Sequence, residues 1–421
     1  MTDTIERNES LDYRFSLLVI VAMLSQVLLQ ITDSVLFKIS DDLVFLLLVI
    51  DSLVAVKKKR MAIGFDRITF LAVLVLCFNY FFSAVLALMN GNPIMVIVLQ
   101  LRQYKYVFVF LILLYYHGDR IFYRMNNIVR IIGYISIPVA VTQRFFSDSP
   151  SGDVVTGLYG YGTSGIMSLF LLILFFSELC HRLSQGRRVF GWYFLFFVPL
   201  GLNETKIVFV MIPIMFVITL WVTKKITITN VFFMVFCAAI LFYGTSIMYQ
   251  QVYHRDVATI FSKEYLMEYM TEVNSEDMGR YHKTMIAYEI IDRSPLTKTF
   301  GYGIGAGFSG QLTGVSGIVS EKYHARNLFG GTRPQLFNTL IDSGIAGVVA
   351  QLLFIVLMTI KIVFLSGAYS LKHYVAIFSL LTLFIGIFYQ DVMTTPNLAF
   401  YIFTSIYLVC IETPGREGEF S

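Results

Sequence analysis

The sequence predicts an all-α polytopic membrane protein of about 12 transmembrane helices with one long extracytoplasmic loop, and three observations carry that expectation. Only 14% of the 421 residues are charged while 57% are hydrophobic, whereas a soluble domain carries about a quarter charged residues. Mean hydropathy is +0.71, and the apolar residues gather in runs near the roughly 20 residues that cross a hydrocarbon layer about 30 Å thick. Lys and Arg flank those runs unevenly, as positive charges do when they orient spans.

Twelve apolar runs fall near 14–32, 42–56, 67–89, 93–116, 128–147, 155–179, 188–202, 207–223, 229–249, 336–364, 373–390 and 395–411. An even number places both termini on one side. The polar segment MTDTIERNES precedes the first run and no small-residue cleavage pattern follows it, so that run is expected to remain a span and not to be removed as a signal peptide. With the N-terminus cytoplasmic, the inner segments hold 18 of the 32 Lys and Arg, Lys57, Lys58, Lys59 and Arg60 among them. The short outer segments hold Lys38, Arg144 and Lys206, the asymmetry expected of short loops. Residues 1–421 thus read as a single transmembrane domain.

The net charge of +4 comes mainly from these flanking residues and does not point to nucleic acid. Cys77, Cys180, Cys237 and Cys410 lie in or at the ends of apolar runs, which argues against a disulfide framework and against a cysteine metal site. No internal repeat pairs two broken spans, which weighs against a transporter.

The segment 250–334 is the one long polar stretch and is expected outside as an extracytoplasmic loop with amphipathic helices. Its nine basic and nine acidic residues cancel, so affinity for an anion depends on placement. Within it 258–273 and 280–292 have helical apolar spacing through Leu266 and Met270, and through Met285, Tyr288 and Ile291. Pro295 is expected to end the second helix.

Charges in or beside spans are expensive and mark functional candidates. Arg102 and Lys105 lie three apart on one face of the fourth run, suiting a bound anion or else snorkelling from an interfacial helix. The turn Asn203-Glu204-Thr205-Lys206 places a Lys at a helix start, where it reads as a phosphate ligand or as a solvated, Asn-capped turn. Arg280 precedes an amphipathic stretch, a Pro and glycines at 301, 303, 305 and 307. A guanidinium forks onto phosphate oxygens, and glycines let backbone approach a ligand closely, although a plain turn is their commoner meaning. Arg333 stands before the tenth run and Asp342 about two turns inside it. His254, His282 and His324 share the outer segment and suit proton transfer near neutral pH, or simply the surface. The absence of HExxH and GxSxG motifs argues against a zinc enzyme and a serine-triad hydrolase.

In order and spacing these features resemble the O-antigen polymerase and O-antigen ligase superfamily of bacterial surface polysaccharide assembly. Gly279-Arg280, Pro295, Gly301-Tyr302-Gly303-Ile304-Gly305 and Leu340-Ile341-Asp342-Ser343-Gly344-Ile345-Ala346-Gly347 carry the resemblance, most specifically over 200–350. In the family's T-x-S-R-like sequence Lys206 takes the place of the Arg, and Arg333 and Pro334 stand where ligases carry His-Asn.

The resemblance implies the fold of the membrane glycosyltransferases that use polyprenyl-linked sugar donors, and glycosyl transfer at the outer face of the bacterial inner membrane. The donor would be a polyprenyl-diphosphate-linked oligosaccharide, polymerised into O-antigen, capsule or exopolysaccharide. A ligase, a flippase or permease for lipid-linked sugars, and an accessory scaffold are the alternatives. A chain-length regulator and a flippase would be partners, alongside membrane lipid. No nucleotide cofactor is expected, because the donor is already activated, and no metal is expected, because its motifs are absent. Arg280, Lys206, Arg333 and Arg102 would clamp the leaving diphosphate, with Lys105, Gly301, Gly303 and Gly305 beside the substrate. Glu204, His282 and His324 are the available bases.

Overall fold

The computed structural model describes residues 2–32, 35–57, 64–113, 119–146, 155–159, 164–203, 205–224, 279–309, 314–323, 333–366 and 369–412, with separate residues between 227 and 267. The described chain is helical apart from one pair of two-residue strands. Its helices are α1 (Thr2–Thr32), α2 (Val35–Lys57), α3 (Arg67–Met89), α4 (Ile94–Gln103), α5 (Phe110–Leu113), α6 (Asp119–Phe146), α7 (Ser164–Ser184), α8 (Phe197–Leu202) and α9 (Ile207–Thr223). After them come α10 (Arg280–Ile291), α11 (Pro295–Phe300), α12 (Ile318–Lys322), α13 (Gln335–Thr359), α14 (Leu371–Tyr389) and α15 (Pro396–Cys410).

Among the described residues five helices are long and apolar enough to cross a membrane: Arg67–Met89, Arg120–Phe146, Ser164–Ser184, Gln335–Phe364 and Leu371–Tyr389. Ile94–Gln103 and Lys105–Leu113 make a sixth when taken as one span bent by 62°. The chain is therefore a helical membrane protein. Shorter apolar helices, such as Ile207–Thr223 and Pro396–Cys410, complete the bundle.

Burial sorts the helices. In α7 nearly every position is buried, from Ser164 through Cys180, as a helix apolar all round requires. Tyr401 and Tyr407 of α15 are likewise fully buried. By contrast α3 leaves Phe78 64% and Phe81 71% exposed, side chains that water would disfavour and acyl chains accept. Asp66 starts α3 by accepting hydrogen bonds from the Ile68 and Thr69 N–H groups (2.9 and 3.1 Å), satisfying donors that a helix start leaves unpaired.

Two ends of the bundle are distinguished by what meets there. At one end Lys361, just past α13, pairs with Asp66 at 2.9 Å, and β1 (Gly64–Phe65) pairs antiparallel with β2 (Ile411–Glu412). Glu178 near the end of α7 binds Arg130 of α6 and also Arg182, the latter at 2.7 Å. At the other end the side chain of Asn90, just past α3, donates to the Tyr302 carbonyl (3.0 Å).

Pro295 opens a helix where the sequence suggested it would close one. Here α10 has already ended at Ile291, and Ser294 accepts the Thr297 N–H (3.1 Å) to start α11 with Pro295 in its first turn. That is the position where a missing N–H costs nothing. The expected helix over 258–273 lies almost wholly outside the described residues.

Candidate functional site

The glycine run is built into a break in α13. Gly344 adopts φ +61° inside that helix, and the break leaves carbonyls without helical partners. The Tyr302 N–H donates to the Ile341 carbonyl (2.8 Å), the Gly303 N–H to the Asp342 carbonyl (3.0 Å) and the Ile304 N–H to the Ser83 carbonyl of α3 (3.1 Å). The Ser83 hydroxyl donates to the Asp342 carbonyl (2.8 Å), and the Gly305 N–H to Asp342 Oδ1 (3.1 Å).

Space explains the spacing. A Cβ on Gly303 would stand 2.2 Å from the Ala87 backbone, and one on Gly301 would stand 2.7 Å from the Gly344 nitrogen. Both residues also have positive φ, +93° and +71°, where a side chain is strained. Gly305 approaches Val96 in the same way. The backbone approach anticipated at Gly301, Gly303 and Gly305 is thus made to α3, α4 and α13, and it fixes the segment between helices.

Beside this loop, three consecutive residues at the end of α14 join the elements that carry the predicted cations. Tyr389 lies under Arg280, with the guanidinium carbon 4.2 Å from the ring centroid. Gln390 reaches the first turn of α7, where its Oε1 stands 2.6 Å from the place a Cβ on Gly165 would occupy. One turn further along α7 Ser168 holds Asn203, whose side chain donates to Ser168 Oγ (2.6 Å) and accepts the Thr205 N–H (3.2 Å). Asn203 so anchors the turn from which Lys206 enters α9. Asp391 donates its N–H to the Arg333 carbonyl (3.1 Å), and its Oδ2 accepts from the Asn338 side chain (2.5 Å). Residues 389–391 therefore lie against Arg280, the Arg333 backbone and the start of α7, and Lys206 is linked to them through Asn203 and α7.

Electrostatics there are set by burial. Arg333 Nη1 donates to the Gly307 carbonyl (3.2 Å); burial lowers its pKa, while Asp391 and Asp342 oppose that shift. Burial raises the Asp391 pKa against the hydrogen bonds of Asn338 and Thr394 and the charge of Arg333. The desolvated carboxyl holds its proton more tightly than a solvated one.

Arg102 and Lys105 are met by carboxylates of α2. Lys105 Nζ binds Asp41 Oδ2 at 2.5 Å and also Asp42, which pairs with Arg102 as well. Tyr106 adds a hydrogen bond to Asp41 (3.0 Å). This neutralised cluster sits at the bend between α4 and α5.

His282 is in the first turn of α10, two positions after Arg280. Glu204, His324 and His254 lie outside the described residues. Among the described residues no three His, Cys, Asp or Glu side chains gather closely enough to hold a metal ion.

Sequence reasoning passed over Tyr389, Gln390 and Asp391, and over Asp41 and Asp42. A signal existed for both sets: an acid in the short turn between the last two apolar runs, and two adjacent acids opening the second run. No protein-family model and no curated protein matches the chain.

Proposed function

We propose that the protein is a membrane glycosyltransferase that polymerises polyprenyl-diphosphate-linked oligosaccharide repeat units into a surface polysaccharide. The observation that carries this reading is the convergence of Arg280 and the Arg333 backbone on residues 389–391, with the turn that leads into Lys206 linked to them through α7. The motif order that resembles the O-antigen polymerase and ligase superfamily supports it.

In such a reaction a sugar hydroxyl attacks the anomeric carbon and the lipid diphosphate departs. Charge develops on the departing oxygen, so cations fixed before the reaction stabilise the transition state more than the ground state. Arg280 and Lys206 serve as that clamp, and Arg333 contributes its field from the loop side. Asp342 pins the glycine segment through Gly305, which keeps the clamp from drifting.

The same proposal covers the topology: twelve spans, both termini cytoplasmic, and 250–334 on the outer face of the bacterial inner membrane, where a flippase delivers the donor and a chain-length regulator acts on the product. The test uses the full chain in proteoliposomes with repeat-unit lipid extracted from cells lacking the gene. A ladder of polymer is expected. Passage of intact lipid-linked sugar across the bilayer with no new glycosidic bond would overturn the reading in favour of transport.

A further inference from the structure

The cation clamp explains how the leaving group departs but leaves the attacking hydroxyl's proton without a destination. We propose that Asp391 is the general base that takes it, an inference that rests on the glycosyltransferase reading above.

Position is the first argument. Asp391 is two residues beyond Tyr389, the ring under Arg280, and it binds the Arg333 carbonyl through its own N–H. It therefore sits between two of the elements that bear the clamp. His282, the histidine nearest to Arg280 in the sequence, is two positions along the same helix, and side chains two apart leave a helix on opposite faces.

Availability is the second. The other carboxylates held inside the described bundle are committed. Asp41 and Asp42 are paired with Lys105 and Arg102, and Glu178 with Arg130 and Arg182. Asp342 accepts backbone N–H groups of the glycine loop. Asp391 has no basic side chain within ion-pair distance among the described residues, and its partners are neutral donors. Asn338 binds Oδ2, the Thr394 N–H binds Oδ1 (3.1 Å), and the Thr394 side chain adds a third donor. A carboxylate offers about four acceptor sites, so capacity for one substrate hydroxyl remains. Held by the turn, the group needs no reorganisation as the proton arrives.

The step balances. The acceptor oxygen forms its bond to the anomeric carbon while the bond from that carbon to the phosphate oxygen breaks, and the electron pair leaves with the lipid diphosphate beside Arg280 and Lys206. The acceptor proton passes to Asp391 and then to solvent. The charged and titratable groups around Asp391 are Arg333 and Asp342 from the loop and α13, Tyr80 of α3, and Tyr104 at the bend after α4. Burial raises the Asp391 pKa, which moves a carboxylate toward the range where it works as a base.

The experiment measures three properties of the full chain in nanodiscs: polymerisation of the extracted repeat-unit lipid, its pH profile, and binding of polyprenyl diphosphate alone. In Asp391→Asn we expect turnover to fall by about 100-fold or more, diphosphate binding to stay within threefold, and the acidic limb of the profile to vanish. Asp391→Glu is expected to keep part of the rate, and Asp391→Ala to regain rate with added formate. Wild-type turnover in Asp391→Asn, or a tenfold loss of diphosphate binding, would overturn the assignment and leave the enzyme reading standing. A wild-type chain that binds the diphosphate yet forms no polymer sinks both.

Discussion

The bend of the fourth run and the turn after α14 each place cations in an apolar bundle, but they stabilise them in different ways. At the bend Lys105 and Arg102 face Asp41 and Asp42, so the cluster is neutral and mutually satisfied. After α14 the guanidinium of Arg280 lies on an aromatic ring and that of Arg333 donates to a carbonyl. Carboxylates consume the charge they meet, whereas a ring face and a peptide dipole orient a cation. The first arrangement locks helices together; the second suits an anion that comes and goes.

This contrast can be broken most directly at the clamp. Arg280→Ala should lower polymerisation by about 100-fold or more at unchanged folding, the scale of losing one preorganised charge donor. Under the same assay Arg102→Ala should act on folded yield and leave the rate per folded molecule near normal. Equal losses of specific rate in both would erase the distinction.

The next effect is on stability. Lys105→Met leaves Asp41 buried without its cation, and breaking a buried pair costs about 3–5 kcal/mol. Thermal unfolding in detergent should register that loss. The double variant Asp41→Asn, Lys105→Met should recover most of it, since Asp42 keeps Arg102; failure to recover would show that the cluster does more than neutralise itself.

A smaller effect separates ring from hydroxyl beneath Arg280. Tyr389→Leu should weaken polyprenyl-diphosphate binding by roughly 2- to 30-fold, equivalent to a cation–π contact of about 0.5–2 kcal/mol. Tyr389→Phe keeps the ring and should bind normally. Titration calorimetry on both variants decides this.

The smallest is a pH dependence. Burial raises the folded-state pKa of Asp391 above the ordinary carboxyl value of about 3.9, so its ionisation opposes folding. Its favourable contribution is complete below about pH 4 and is lost as pH rises through the folded-state pKa. The unfolding midpoint of Asp391→Asn should therefore climb relative to wild type across that window. A constant difference would mean that Asp391 titrates as it does unfolded.

Much of this architecture was legible in the chain. Run length and charge exclusion depend on single segments, so α3, α7, α13 and α14 fall where the apolar residues do. The start of α10 at Arg280 also agrees with its amphipathic spacing. The bend at Tyr104 was not legible, because Arg102 and Lys105 alone leave open whether they serve a ligand or the fold. Asp41 and Asp42, some 60 positions earlier, answer that only once α2 lies alongside.

The glycine run makes the same point. Its residues announced close backbone approach, yet nothing local could say that the approaching surface was Ala87 and the broken turn at Gly344 rather than a ligand. By itself the sequence determined that the chain is helical, that it belongs in a membrane and that its few charges are costly, because hydrophobicity and helical period act over neighbouring residues. Only the tertiary structure decided which charges are neutralised and which lie against residues 389–391, because the Coulomb partner of a buried side chain is chosen by packing between helices remote in sequence.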